Sequence, residues 1–111
     1  LAPLTLFSQY LDLDGSFDCA HEVTIYHDNG NIKEIGCYNH NKRKIGKWTS
    51  YNKQGDVVGV ISFDAQGNKH GAWEIWDNQT LRARMFYTHG QRTGVWSVWN
   101  ESGVLVNERM Y

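Results

Sequence analysis

The sequence is poor in the residues that redirect a chain or carry chemistry. It has one proline and two cysteines among its 111 residues. A single proline leaves few enforced breaks, so turns must come from other residues. Two cysteines, Cys19 and Cys37, cannot make a multi-bridge disulfide framework, and no CxxC pair suggests a zinc site. They are either two unpaired thiols, the favoured reading, or one bridge in an oxidising compartment. No apolar run is long enough to span a bilayer as a helix. Neither sign of charge dominates. Eleven basic and twelve acidic residues give a formal charge of −1, so there is no general pull toward nucleic acid or an anionic surface.

Motifs of catalysis are missing too. No serine lies in a G-x-S-x-G context, and the carboxylates are scattered through polar stretches. GNKHG (67–71) and GQRTG (90–94) lack the P-loop pattern. An enzyme is therefore not expected, and no catalytic residue, metal or cofactor is assigned. His40 and His89 fall in one repeat slot four strands apart, too far to share an ion. His70 and His89 are closer in the array, and a shared ion stays open for that pair.

What is abundant is aromatic residues and glycine. Five Trp, six Tyr, four Phe and eleven Gly point to an all-β chain with many tight turns. They are arranged in a repeat. GKWTSYNKQG (46–55) returns as GAWEIWDNQT (71–80) and again as GVWSVWNESG (94–103). Trp48, Trp73 and Trp96 are spaced by 25 and 23 residues, and each is followed after three residues by Tyr51, Trp76 or Trp99. Stepping back by one period reaches Tyr26 and Gly30, with Val23 in the Trp slot, so a degenerate first copy is expected. Ile32, Val57, Leu81 and Leu105 fill one aliphatic column, and Tyr38, Phe63, Tyr87 and Tyr111 one aromatic column.

Each copy is too short for a helix pair and reads as a β-hairpin. Asn29-Gly30 is a strong turn signal in the first. Four hairpins give eight strands and a sheet roughly 35–40 Å long. Trp48 and Tyr51 are an odd number of residues apart, so the two aromatic columns face opposite sides. The Gly before each Trp is expected to take φ > 0 or to permit close backbone approach. The repeats are placed at about 21–45, 46–70, 71–93 and 94–111. Residues 1–20 do not match them and are read as an N-terminal cap, with Leu4, Phe7 and Leu11 at helical spacing or Leu4, Leu6, Tyr10 and Leu13 serving a strand. The chain starts at Leu1 and not Met, which fits a processed export signal or trimming, and both cytoplasmic and exported locations stay open.

The stretch GKWTSYNKQGDVVGVISFDAQGNKHGAWEIW (46–76) resembles MORN-type repeats, in the variant form common in bacterial proteins. The likeness extends over about residues 21–111. Departures are His21 and Val23 in the Gly and Trp slots and a missing turn Gly near Thr80. The resemblance implies an elongated, twisted, open antiparallel meander of hairpins. It also implies binding or scaffolding and not catalysis, as in antitoxin-like or immunity-like repeat families, or in relatives linked to membrane lipids.

The expected function is thus a protein–protein interaction module with a protein partner on an exposed aromatic face. Tyr51, Trp76 and Trp99 are the expected anchors, since Trp and Tyr are favoured at interfaces. The Trp48, Trp73 and Trp96 column is expected to be core. The links between hairpins gather Lys42, Arg43, Lys44, Lys69, His70, His89 and Arg92 on one edge, whereas the hairpin turns carry Asp28, Asp56, Asp77 and Glu101. Lys42, Arg43, Lys44, Lys69 and Arg92 are candidate partner contacts on that basic rim. The alternative function is peripheral membrane or lipid binding through the rim. Nucleic acid is not expected as a partner. Open sheet edges also allow homo-oligomers.

Overall fold

The computed structural model describes residues 19–111. Eight strands run in chain order through one open antiparallel sheet: β1 (His21–Tyr26), β2 (Ile32–Tyr38), β3 (Lys44–Tyr51), β4 (Val57–Phe63), β5 (Gly71–Asp77), β6 (Thr80–Thr88), β7 (Gln91–Trp99) and β8 (Leu105–Met110). This is the hairpin meander that the repeat predicts, and its longest extent, 39 Å, is that of eight strands side by side. Apart from Cys19 and Ala20, the expected cap lies outside the described residues.

The turns explain how one proline suffices. Asn39, Asn52, Asp64 and Asn100 each open a turn in the same way. The side-chain Oδ1 accepts the main-chain N–H two and four residues on, at 2.8–3.1 Å. The fourth residue of each turn is left-handed: Lys42 (φ 63°), Gly55 (94°), Gly67 (89°) and Gly103 (83°). Short Asx side chains and glycine satisfy this geometry at low cost. Asn78-Gln79 and His89-Gly90 instead form two-residue turns with positive φ throughout, as a tight hairpin demands. That accounts for the residue lost near Thr80.

Two further features repeat. In every hairpin the return strand holds one extra residue just after the aliphatic column, at Lys33, Val58, Arg82 and Val106. Such bulges increase the local twist. At every link the register slips by two residues around the Gly-x-Trp segment. The glycines there, Gly46, Gly71 and Gly94, have φ of 66°, 90° and 69°, as their position before Trp predicts. At each slip the indole N–H reaches back to the preceding strand: Trp48 donates to the Cys37 carbonyl (3.1 Å), Trp73 to Ser62 (2.8 Å) and Trp96 to Phe86 (3.0 Å). The Gly-x-Trp signature therefore encodes a bulge together with the donor that bonds across it.

The pairing register places Trp48, Ile61, Trp73, Met85 and Trp96 on one face, here the front. The front aromatics touch edge to face or tilted, from Phe63 through Trp73, Tyr87 and Trp96 to Tyr111, with centroids 4.7–5.4 Å apart. Trp48 is fully buried, beside Tyr38 and over Gly36, where a Cβ would overlap the indole. Cys19 and Cys37 form a disulfide with Cα atoms 5.8 Å apart, contrary to the favoured reading of two free thiols. The reason is topological: Cys19 precedes β1, which pairs with β2 and brings it beside Cys37.

Candidate partner-binding surface

The back face carries the second aromatic column. Tyr51 pairs with Val57, Trp76 with Leu81 and Trp99 with Leu105. Because the extra residue of each hairpin bulge sits on the return strand, the aromatic strands alternate without a break from the front Trp to the second aromatic. Tyr51, Trp76 and Trp99 thus occupy equivalent places on β3, β5 and β7, each about 10 Å from the next. All three are half-buried. With Val57, Leu81 and the exposed Leu105 they form an apolar row along the turn side of the sheet.

The two Trp columns differ in how they are satisfied. Every front-face Trp of the array donates its N–H to a main-chain carbonyl, as above. On the back face the Trp76 Nε1 is buried and has no hydrogen-bond partner. Trp76 also borders a groove of about 450 Å³, with Val57 and Val60 as its other apolar walls and Asp56, Glu74 and Gln79 as polar ones. Glu74 is held by Arg84 at 2.7 Å.

The five basic candidates divide. Lys44, Lys69 and Arg92 each stand four residues before a Trp and lie over the front-face rings. Lys44 Nζ is 4.4 Å from the centroid of Trp48, Lys69 Nζ is 4.9 Å from Trp73, and the Arg92 guanidinium carbon is 5.2 Å from Trp96. This cation–π row on the front was missed in the sequence, although the shared offset from Trp was visible there. Lys44 also faces Glu34 at 3.8 Å. Lys42 and Arg43 remain in the exposed turn before β3, where Arg43 Nη1 donates to the Gln66 carbonyl at 3.3 Å. The aromatic anchors and the Lys44–Lys69–Arg92 row are thus on opposite faces.

The link edge is less purely basic than its composition suggests. Asp64 is buried there, and its Oδ2 lies 2.8 Å from His89 Nδ1. Burial alone would raise the Asp64 carboxyl, but hydrogen bonds from His89 and from the Asn68 and Gln66 N–H groups outweigh it and hold the carboxyl below its ordinary value. His70 stacks on His89 at 4.3 Å, and its Nδ1 accepts the His89 main-chain N–H. Each ring thus has its Nδ1 engaged, and no cluster of three metal-ligating side chains occurs among the described residues. On the turn edge, Asp28 pairs with Lys53 at 3.4 Å and Asp77 with Arg82 at 3.5 Å.

A family model described as the MORN repeat variant matches residues 22–40. The match supports a MORN-variant repeat. It falls on the first hairpin, the copy with His21 and Val23 in the Gly and Trp slots. No curated protein and no solved structure matches the chain. MORN repeats are generally modules for protein or lipid interaction and not for catalysis.

Proposed function

We propose that the protein is a non-catalytic interaction module that docks a partner protein on its back face, neutralising or positioning it in an antitoxin-like or immunity-like manner. The observation that carries this reading is the contrast between the columns. The front Trp side chains are bonded to the main chain and covered by the chain's own cations. The Tyr51–Trp76–Trp99 row is a half-exposed apolar strip, the kind of surface that supplies interface anchors. The test is affinity capture from the native source with wild type, Trp76→Ala and Trp99→Ala, each checked for an intact β signal. A stoichiometric protein held by wild type and lost by both folded variants supports the reading. Retention by both refutes it.

The Lys44–Lys69–Arg92 row favours a second reading, docking of the front face on an anionic membrane surface. Co-sedimentation with vesicles containing phosphatidylserine tests it. Binding at low salt that a triple Gln variant abolishes supports it, and no binding at low salt removes it.

A further inference from the structure

We propose that the groove at Trp76 receives a basic side chain, of lysine or arginine, from an extended segment of the partner. The assignment rests on the back-face reading and specifies what is recognised there. Three observations carry it. First, Trp48, Trp73 and Trp96 each have a cation of this chain over the ring. Among the described residues no cation lies over Trp76. An indole face attracts a cation wherever it comes from.

Second, the polar wall of the groove bears one carboxylate without a cationic partner among the described residues. Asp28, Asp77 and Glu74 are engaged by Lys53, Arg82 and Arg84. Asp56 Oδ1 accepts only the Gln79 side-chain amide, at 3.2 Å. A negative charge therefore stands beside an apolar trough. Third, the trough suits the stem of such a side chain. Val57, Val60 and the Trp76 ring flank about 450 Å³ of space. Aliphatic stems of Lys and Arg pack on apolar surface while the head reaches a polar partner. Here the head reaches Asp56 and the face of Trp76. The indole N–H makes no hydrogen bond, so none is broken when the incoming group settles against the ring.

The probe is N-acetyl-lysine N-methylamide, with the norleucine analogue as its uncharged counterpart. Both are titrated into the folded protein while the five Trp indole N–H signals are followed by NMR. The Trp76 signal is identified by its loss in Trp76→Phe. The expected result is a saturable shift at Trp76 and none at Trp73. Norleucine, or lysine with the Asp56→Asn protein, binds about three- to tenfold more weakly. Asp56→Asn is isosteric and leaves the turn hydrogen bonds in place, so loss of folding does not obscure the result. Equal binding of norleucine, an unchanged affinity in Asp56→Asn, or no saturable shift overturns the proposal. The capture experiment separates the two levels. If Trp76→Ala loses the partner but the lysine probe fails, the back face stands and the cation assignment falls. If the partner is indifferent to Trp76→Ala, both fall.

Discussion

At the scale of single residues, neighbours decide what an aromatic does. Trp48 fits against Gly36, so Gly36→Ala forces the indole out of place. A loss of about 2–3 kcal/mol is expected from the overpacking, measured by urea unfolding. Asp64 gives a pH prediction. Its carboxyl is held below the ordinary aspartate value of 3.8, so its contribution is present above that pH and is lost as pH falls through the lower folded value. Asp64→Asn keeps the turn acceptor, as Asn39, Asn52 and Asn100 show. The variant should be about 0.5–1 kcal/mol less stable at pH 7, modest because His89 is largely exposed. The difference should shrink as pH falls below 3.8 and be lost once pH passes the lower folded value. An unchanged difference there would assign the effect to the turn and not to ionisation. None of this was legible in the sequence. Asp64 looks like any turn Asp until its partners are placed, and the column that marks Trp76 as an anchor does not show that its indole N–H is unbonded.

At the scale of elements, the repeat was legible because each of its features answers a local need. Gly-x-Trp marks the slip at each link, an Asx residue and a left-handed residue mark four of the seven turns, and odd spacing separates the two faces. Two element features escaped notice. The bulge on each return strand has no single residue type, since Lys33, Val58, Arg82 and Val106 mix cations with valines. Two of the three links use the same turn as the hairpins, hidden in the first because Lys42 stands where other turns have Gly. That difference gives a paired prediction. Lys42→Gly relieves a left-handed non-glycine residue and should raise stability by about 0.5–1 kcal/mol. Gly55→Ala, with nothing near the new Cβ, should lower it by about 1–2 kcal/mol through the backbone alone. Denaturant midpoints moving the other way would contradict the turn assignment.

At the scale of the molecule, the sheet is a row of hairpins in which each strand packs mainly against its neighbours. Such arrays come apart from their ends. The disulfide staples one end across a sequence separation of 18 residues, and its reduction should cost that end about 3 kcal/mol. Amide exchange should then rise in β1 and β2 and change little in β5–β7. A uniform rise would mean that the sheet unfolds as one unit. The account as a whole turns on a division between the faces, with the front Trp column building the fold and the back column left for a partner. Trp73 and Trp76 test it directly, because both are half-buried and both lie on β5. The measurement is equilibrium urea unfolding of Trp73→Ala and Trp76→Ala side by side. The account predicts a loss of about 3–4 kcal/mol for Trp73→Ala, which removes a packed ring and the donor to the Ser62 carbonyl. Trp76→Ala should lose only about 1–2 kcal/mol. Equal losses would make both columns structural and contradict the division.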